Sequence, residues 1–580
     1  MRGSAIGVAG KSLVTEELVA LRYAGCHGTG RLWKAGRIFI LSASGSAQEL
    51  GLAHGRLLKT AIAEGCVHRL AATPLSLPDI VALPAWKRWL ATLYVKSLQR
   101  RIAGNLPQTY RTELAALARG SGQDRKTVVA ASLLSETLQL LAASELERSK
   151  TTARANGGCT TAIAGSEGLI HAKNQDYDAA GDWDRAPLLF ICRPKGGLAH
   201  AKVTSAGLLK GNLSLNEQGI VIGGHFLFAE RSGRKGLTFT AAENEVARRA
   251  RTLGQAVDII RAGPHLGSFA FVVSDANAGE AVVVECNGDG AAVRPMEGGK
   301  LGMSNVHTTE LVRSDALISH GLARQPLARQ RRVDTLLADV AQNDVGAMID
   351  ILADNYDPDC DAPRGVGLTI ANPLTVMSAV ADGRRQQLWV SEGRVPTSTG
   401  RFLGFDLVNA FEGDAPELIG TARAAVDHSL SDKAIAALNA ARVAYEDNAD
   451  TTEAVAILHA AIASLGPKSG LLPVLGRIAL REGRDDLARE AANGALAESS
   501  MNERAALQLI RGQLADIEGK RLDALAAYAV IRNLAQENGP GLGGISSTLA
   551  READRFSRDP FAHRHRTTVS IGFAAVGGME

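Results

Sequence analysis

The chain has 580 residues, 46% of them hydrophobic and 22% charged. These are the proportions of a protein that buries sizeable cores, not of a disordered chain, and about 150 residues per domain suggests three or four units. Lys and Arg number 64 against 61 Asp and Glu, an excess too small to imply a nucleic-acid partner, and no run reaches the ~18 apolar residues of a membrane span.

Within the first thirty residues, Glu16 and Glu17 interrupt the best apolar stretch. No signal-peptide core is expected, and the chain reads as cytoplasmic. Residues 1–158 read as mostly helical. Leu50, Leu57, Leu58 and Ile62 recur at helical spacing, and further helices are predicted around 86–103, 107–119 and 125–145. Thr151–Gly158 is small, polar and glycine-ended, a linker composition. From Cys159 to about residue 412 short strands are predicted, at Thr160–Ala164, Leu188–Cys192, Gly219–Gly223, Phe269–Ser274, Ala281–Glu285, Val376–Ala381 and Gln387–Ser391. Helices fall between them at Ala241–Arg251 and Gln325–Ala338, giving an α+β layered domain rather than strict βαβ alternation. Residues 413–580 read as all-helical, without strands. Gly476, Gly483 and Ala488 recur 36 residues later as Gly512, Gly519 and Ala524, which resembles tetratricopeptide-type hairpins, with a looser unit at Ser431–Leu465. Such repeats bury their apolar faces only against neighbours, so docking on the strand-rich domain or on a protein partner is expected.

Several motifs fail. Ala5-Ile-Gly-Val-Ala-Gly-Lys-Ser12 lacks the preceding strand that a phosphate loop needs. His563-Arg-His565 has no other ligand types nearby, and Arg329-Gln-Arg-Arg332 reads as an exposed helix face. No GxSxG elbow exists. Six cysteines (Cys26, Cys66, Cys159, Cys192, Cys286, Cys360) are too sparse for a disulfide scaffold and none forms CxxC, so neither a metal nor a cofactor is expected.

The informative junction is Asn156-Gly-Gly-Cys-Thr-Thr161. Glycines before a cysteine allow a tight turn. Cutting the Gly158–Cys159 peptide would give Cys159 both a thiol and a free amine. An α-amine with a pKa of about 7.7–8.0 can take the thiol proton itself, without a distant histidine. A buried cysteine opening a strand is the other reading of the same residues.

Gly157-Gly-Cys-Thr-Thr161, Ile170-His-Ala-Lys-Asn-Gln-Asp-Tyr177, Ala206-Gly-Leu-Leu-Lys-Gly211, Leu215-Asn-Glu-Gln-Gly-Ile-Val221 and Gly302-Met-Ser-Asn-Val-His307 occur in that order. Together they resemble the acyl-CoA:isopenicillin N (6-aminopenicillanic acid) acyltransferase family of cysteine N-terminal-nucleophile (Ntn) hydrolases, relatives of penicillin V acylase and bile salt hydrolase. Glu49–Arg56 and Leu106–Leu114 resemble the family's helical propeptide region, and the likeness spans about residues 36 to 405. The resemblance implies an αββα four-layer sandwich, self-cleavage between Gly158 and Cys159, and acyl transfer from an N-acyl amide to water or an amine. It implies Asp176, within Asn174-Gln-Asp176, as the group that orients the amine, and Asn305 as an oxyanion donor. Lys173 stands where bile salt hydrolases have arginine, and His225 stands about where relatives place asparagine, so His225 or a backbone amide near Gly224 could serve the oxyanion. For a late arginine of the relatives, Arg364 is only a guess. The favoured function is an amide hydrolase. The alternatives are an acyl-CoA-dependent N-acyltransferase, and a catalytically silent relative acting as a helical-repeat interaction protein.

Overall fold

The computed structural model describes residues 19–81, 83–149, 157–165, 168–177, 181–227, 233–311, 324–340, 344–494, 499–538, 547–562 and 571. Ala5–Ser12, Asn156, most of the 151–158 linker and His563-Arg-His565 lie outside them.

In chain order the strands are β1 (Arg22–His27), β2 (Gly30–Ala35), β3 (Ile38–Gly45), β4 (Gly157–Ala164), β5 (Ile170–Tyr177), β6 (Pro187–Pro194), β7 (His200–Ser205), β8 (Leu213–Asn216), β9 (Ile220–Phe226), β10 (Phe269–Asp275), β11 (Glu280–Cys286), β12 (Ala291–Pro295), β13 (Lys300–Met303), β14 (Tyr356–Asp357), β15 (Ala362–Pro363), β16 (Thr375–Asp382), β17 (Gln387–Ser391), β18 (Phe402–Asp406) and β19 (Glu417–Ala422). One open sheet has ten strands in the order β1-β2-β3-β6-β7-β8-β9-β10-β11-β12, and a second has seven, β13-β4-β5-β16-β17-β18-β19; β14 and β15 form a small ladder of their own. The sheets touch through β4 against β9 and β16 against β8. Helices Phe239–Arg249 and Leu253–Arg261 pack on the larger sheet, and Arg324–Asp339 and Val345–Leu352 on the smaller. Each sheet therefore buries apolar residues on a helix-covered face, such as Phe269 and Phe271 under the first pair and Ala162, Ala172 and Val380 under the second.

Two expectations are corrected. The N-terminal segment is not purely helical, because β1–β3 extend the larger sheet and β3 pairs in parallel with β6. The turns between them rest on Gly28 and Gly36, both with left-handed φ (+57° and +53°), which glycine adopts without penalty. The helix that follows, Ala47–Leu57, starts at a Ser46/Glu49 capping box. Strands also continue past residue 414, since β19 pairs with β18.

Beyond β19 the described residues are helical. Gly483 and Gly519, equivalent in the 36-residue repeat, both take left-handed φ at helix-to-helix turns (+74° and +76°), and the equivalent Ala488 and Ala524 are both fully buried. This helical region docks on the sheet-bearing part. The backbone N–H groups of Gly365 and Val366 donate to the carbonyls of Lys468 and Ser469, each at 2.9 Å, and buried Arg364 pairs with Glu503.

A β-carbon on Gly365 would lie 2.6 Å from Ala434 Cβ and 2.7 Å from the Ser469 carbonyl oxygen, closer than real contacts allow. Gly365→Ala is therefore expected to weaken the docking by about 1–3 kcal/mol. Faster hydrogen exchange in helix Ser429–Arg442 checks this; exchange unchanged from wild type contradicts it.

Candidate active site

Strand alternation decides which side chains can meet. In the antiparallel pairing of β4 and β5, Gly158 faces Asp176, Cys159 faces Gln175, Thr160 faces Asn174 and Thr161 faces Lys173. Directly paired residues project to the same side and neighbours to opposite sides. Cys159, Thr161, Lys173 and Gln175 thus turn toward the larger sheet, while Thr160, Asn174 and Asp176 turn toward the helices. The contacts agree. Asn174 Nδ2 donates to the Leu352 carbonyl at 2.7 Å, whereas Thr161 Oγ1 meets His225 Nε2 on β9 at 2.7 Å.

On the inner side, Lys173 Nζ lies 3.5 Å from Cys159 Sγ and donates to Asn212 Oδ1 at 2.7 Å. Lys173 is fully buried, not the surface lysine its charge suggests. Gly223 on β9 makes room for its stem, because a β-carbon there would sit 2.5 Å from Lys173 Cδ. Gly224 turns the other way, against the Phe239 ring. The site residues expected from the sequence thus divide. Cys159, Lys173, Asp176 and Asn305 converge on one strand junction. His225 stands one residue pair away, bonded to Thr161, and Asn174 and Gly224 point elsewhere. Burial, with Lys173 and Arg329 adding to it, holds the His225 imidazole well below its usual pKa and therefore neutral.

On the helix side the backbone of Cys159 is clamped. The Cys159 N–H donates to Asn305 Oδ1 at 2.7 Å. Arg329, from helix Arg324–Asp339, donates to the Cys159 carbonyl at 2.5 Å, to Thr160 Oγ1 at 2.9 Å and to Asn305 Oδ1 at 2.9 Å. It also lies 3.8 Å from Asp176 Oδ2, and Asp176 Oδ1 accepts from Thr375 Oγ1 at 2.8 Å. Asn305 Nδ2 donates to the Phe226 carbonyl at 2.7 Å. With donors on one side and an acceptor on the other, the amide's orientation is fixed by its partners, and its oxygen, not its N–H, faces Cys159. Gly158 sits inside this cage. A β-carbon on it would lie 2.8 Å from Arg329 Nη2, 3.1 Å from Asp176 Oδ2 and 3.2 Å from Asn305 Oδ1.

Arg329, which the sequence places on an exposed helix face, is instead part of this buried cluster. It is 1% exposed, and burial pulls its pKa down while Asp176 and then Cys159 oppose that. Arg364, the guess for a late arginine, is spent on Glu503 instead. Among 329–332 the distinguishing signal is position: Arg329 lies on the same helical face as buried Val333, four residues on.

A narrow cleft, partly open to solvent, is lined by Leu134, Gln175, Tyr177, Leu208, Lys210 and Asn212 among others. Gln175 and Asn212 connect it to the Cys159–Lys173 pair. Lys210 stands over the Phe239 ring at 4.3 Å from its centroid, and burial lowers its pKa. Burial pushes Cys66 and Cys192 up to about 12 and Cys286 higher still, which keeps them protonated and inert. Among the described residues no group of His, Cys, Asp and Glu is arranged to hold a metal ion.

A family model described as acyl-coenzyme A:6-aminopenicillanic acid acyl-transferase matches residues 163–394, starting just past Cys159. No curated protein matches the chain. Solved structures that match include a Caenorhabditis elegans N-acylethanolamine-hydrolyzing acid amidase ortholog, at 16% identity over 39% of this chain and 93% of that one, with a TM-score of 0.28. They also include a mutant conjugated bile acid hydrolase from Clostridium perfringens, at 9% identity over 47% of this chain and 99% of that one, with a TM-score of 0.29.

Replacing Arg329 with Met removes every donor it supplies and strands the buried Asp176. A loss of about 3–5 kcal/mol is expected for breaking such a buried pair, read as a lower urea midpoint. A midpoint equal to wild type contradicts the clamp.

Proposed function

We propose, from the acyl-coenzyme A:6-aminopenicillanic acid acyl-transferase domain that the chain contains over residues 163–394, that Cys159 is the self-liberating N-terminal nucleophile of an Ntn hydrolase that cleaves an N-acyl amide. The observation that carries this reading is a single constellation. The Cys159 thiol lies against the Lys173 ammonium, its nitrogen is held by Asn305 Oδ1, and the residue before it has no room for a side chain. On this reading the two sheets and their helices form the αββα sandwich, and the C-terminal hairpins are tetratricopeptide-like repeats.

In the uncut chain the Cys159 thiol attacks the Gly158 carbonyl carbon. A C–S bond forms, the Gly158–Cys159 C–N bond breaks, and the thiol proton passes to the departing nitrogen. Water then cleaves the thioester, leaving Gly158 as a carboxylate and Cys159 with a free thiol and amine. In the mature enzyme the same amine takes the thiol proton as sulfur attacks a substrate acyl carbon, then returns it to the leaving amine. Water releases the acyl group from Cys159. Lys173 stabilises negative charge on the sulfur, and Asp176 with Asn305 Oδ1 orients the amine. Donation from Asn305 to the oxyanion requires its Nδ2 to leave the Phe226 carbonyl, so amine orientation is the role its present geometry favours.

Cleavage leaves residues 1–158 in place as a subunit rather than releasing a leader. β3 holds seven residue pairs with β6, Ser135 reaches Tyr177 Oη at 3.2 Å, and Gln139 Oε1 accepts from the Ser268 N–H at 2.6 Å.

Purified wild-type protein should therefore give two masses, for pieces of 158 and 422 residues of the 580-residue chain, that stay together on gel filtration. Cys159→Ala should stay uncut and lose at least about 10⁴-fold of its amide-hydrolysing rate; an uncut but active Cys159→Ala protein ends this reading. Lys173→Met should lower the rate about 100-fold, the scale of one lost charge-assisted donor. A Lys173→Met rate equal to wild type removes Lys173 from the mechanism.

A further inference from the structure

The helix Ala85–Ala103 is apolar on two opposite faces. Val95, Leu98 and Ile102 are buried, on the side that packs against helix Leu134–Ser149. The other face lies open. Trp86 and Trp89 are each 62% exposed, Leu90 48%, Leu93 43% and Tyr94 49%, with Val81 at 51% just before the helix begins. At about 100° per residue the five helical side chains fall within an arc of about 140°. Two tryptophans, a tyrosine and two leucines on one exposed stripe are far from the scattered single apolar residues that any surface carries.

Charge narrows what can cover this stripe. The helix holds Lys87, Arg88, Lys96, Arg100 and Arg101 and no Asp or Glu. All five cations are exposed, and none forms an ion pair with a described residue. By the same helical geometry Arg100 and Arg101 continue the apolar arc and Lys87 and Lys96 border it. The occupant must therefore accept apolar and aromatic side chains at its centre and offer negative charge at its edges. An anionic bilayer does both. Tryptophan and tyrosine suit its interface because they have an apolar body and a polar edge. Lysine and arginine stems lie along the apolar layer while their heads reach the phosphates. The helix lies on such a surface and does not cross it, since among the described residues none is long and apolar enough to span.

We propose that helix Ala85–Ala103 docks the protein on an anionic lipid bilayer, with Trp86, Trp89, Leu90, Leu93 and Tyr94 entering the headgroup boundary and Lys87, Lys96, Arg100 and Arg101 pairing with lipid phosphates. The docking does not depend on the catalytic reading. It does put the helix that packs beneath, Leu134–Ser149, between the bilayer and the cleft, which Leu134 and Ser135 line.

The test is flotation of the full chain with vesicles of phosphatidylcholine alone, or of equal parts phosphatidylcholine and phosphatidylglycerol. Wild-type protein should float at least about ten-fold more with the anionic vesicles, and less as salt is raised. A Trp86→Ser, Trp89→Ser, Leu93→Ser triple variant, with circular dichroism and thermal midpoint matching wild type, should lose about ten-fold of that binding. A Lys87→Glu, Arg100→Glu, Arg101→Glu variant should float equally poorly with both vesicle types. The proposal is overturned if wild-type protein floats with neither vesicle, or if the triple variant floats like wild type. It is equally overturned if gel filtration shows a wild-type dimer that the triple variant dissolves while vesicles go unbound, because a second copy then covers the stripe.

Discussion

A buried guanidinium holds the centre of this molecule. Arg329 reaches from the helix layer onto the seven-stranded sheet and donates to the Cys159 carbonyl, Thr160 Oγ1 and Asn305 Oδ1, with Asp176 alongside. A fully buried arginine is tolerable only when its N–H groups and its charge are answered on site. That requirement fixes three elements relative to one another: β4 with its cysteine, the segment after β13 that carries Asn305, and β5 with its aspartate. It also explains the glycine before Cys159. The groups that answer the arginine crowd the space where a side chain on residue 158 would stand.

Across the sheet from the arginine stands a second cation, Lys173, facing the sulfur from the opposite side. The two are separated by the strand itself, and each has an oxygen partner of its own, Asn212 for the lysine and Asp176 with Asn305 for the arginine. The neighbouring histidine stays neutral, first because burial disfavours its charged form and then because both cations oppose a third positive charge. The inter-sheet layer at this point is polar. Asn212, Thr161 and His225 sit between strands whose outward faces carry Phe, Val and Ala. Such a layer needs complete pairing to be stable, and a displaced partner here is felt at Cys159.

Much of this was legible in the sequence. All seven predicted strands between Thr160 and Ser391 fall on β4, β6, β9, β10, β11, β16 and β17, because β-branched runs bounded by Gly, Asn and Asp keep their meaning whatever packs on them. The order of short motifs singles out Cys159, Lys173, Asp176 and Asn305, which the fold brings to one strand junction. What was not legible has physical reasons. β5 reads Ile170-His-Ala-Lys-Asn-Gln-Asp-Tyr177, a strand buried on both faces whose polar residues serve the site, so its hydrophobic pattern is hidden. β1–β3 are masked by the helical texture that follows, although Gly28 and Gly36 mark two hairpin turns. Arg329 lies among three other polar residues, and only the tertiary structure separates it from its exposed neighbour Arg331. A cation that enters a core to hold a backbone carbonyl has the same local sequence as one on a solvated helix.

The central claim is that Cys159 carries the acyl group while standing as an N-terminal residue. The most direct measurement is peptide mapping by mass spectrometry after quenching the enzyme in acid during turnover of an N-acyl amide. The account predicts an added acyl mass on a peptide whose first residue is Cys159. An acyl mass on any other residue, or turnover by a chain whose Cys159 peptide is still joined to Gly158, would contradict it.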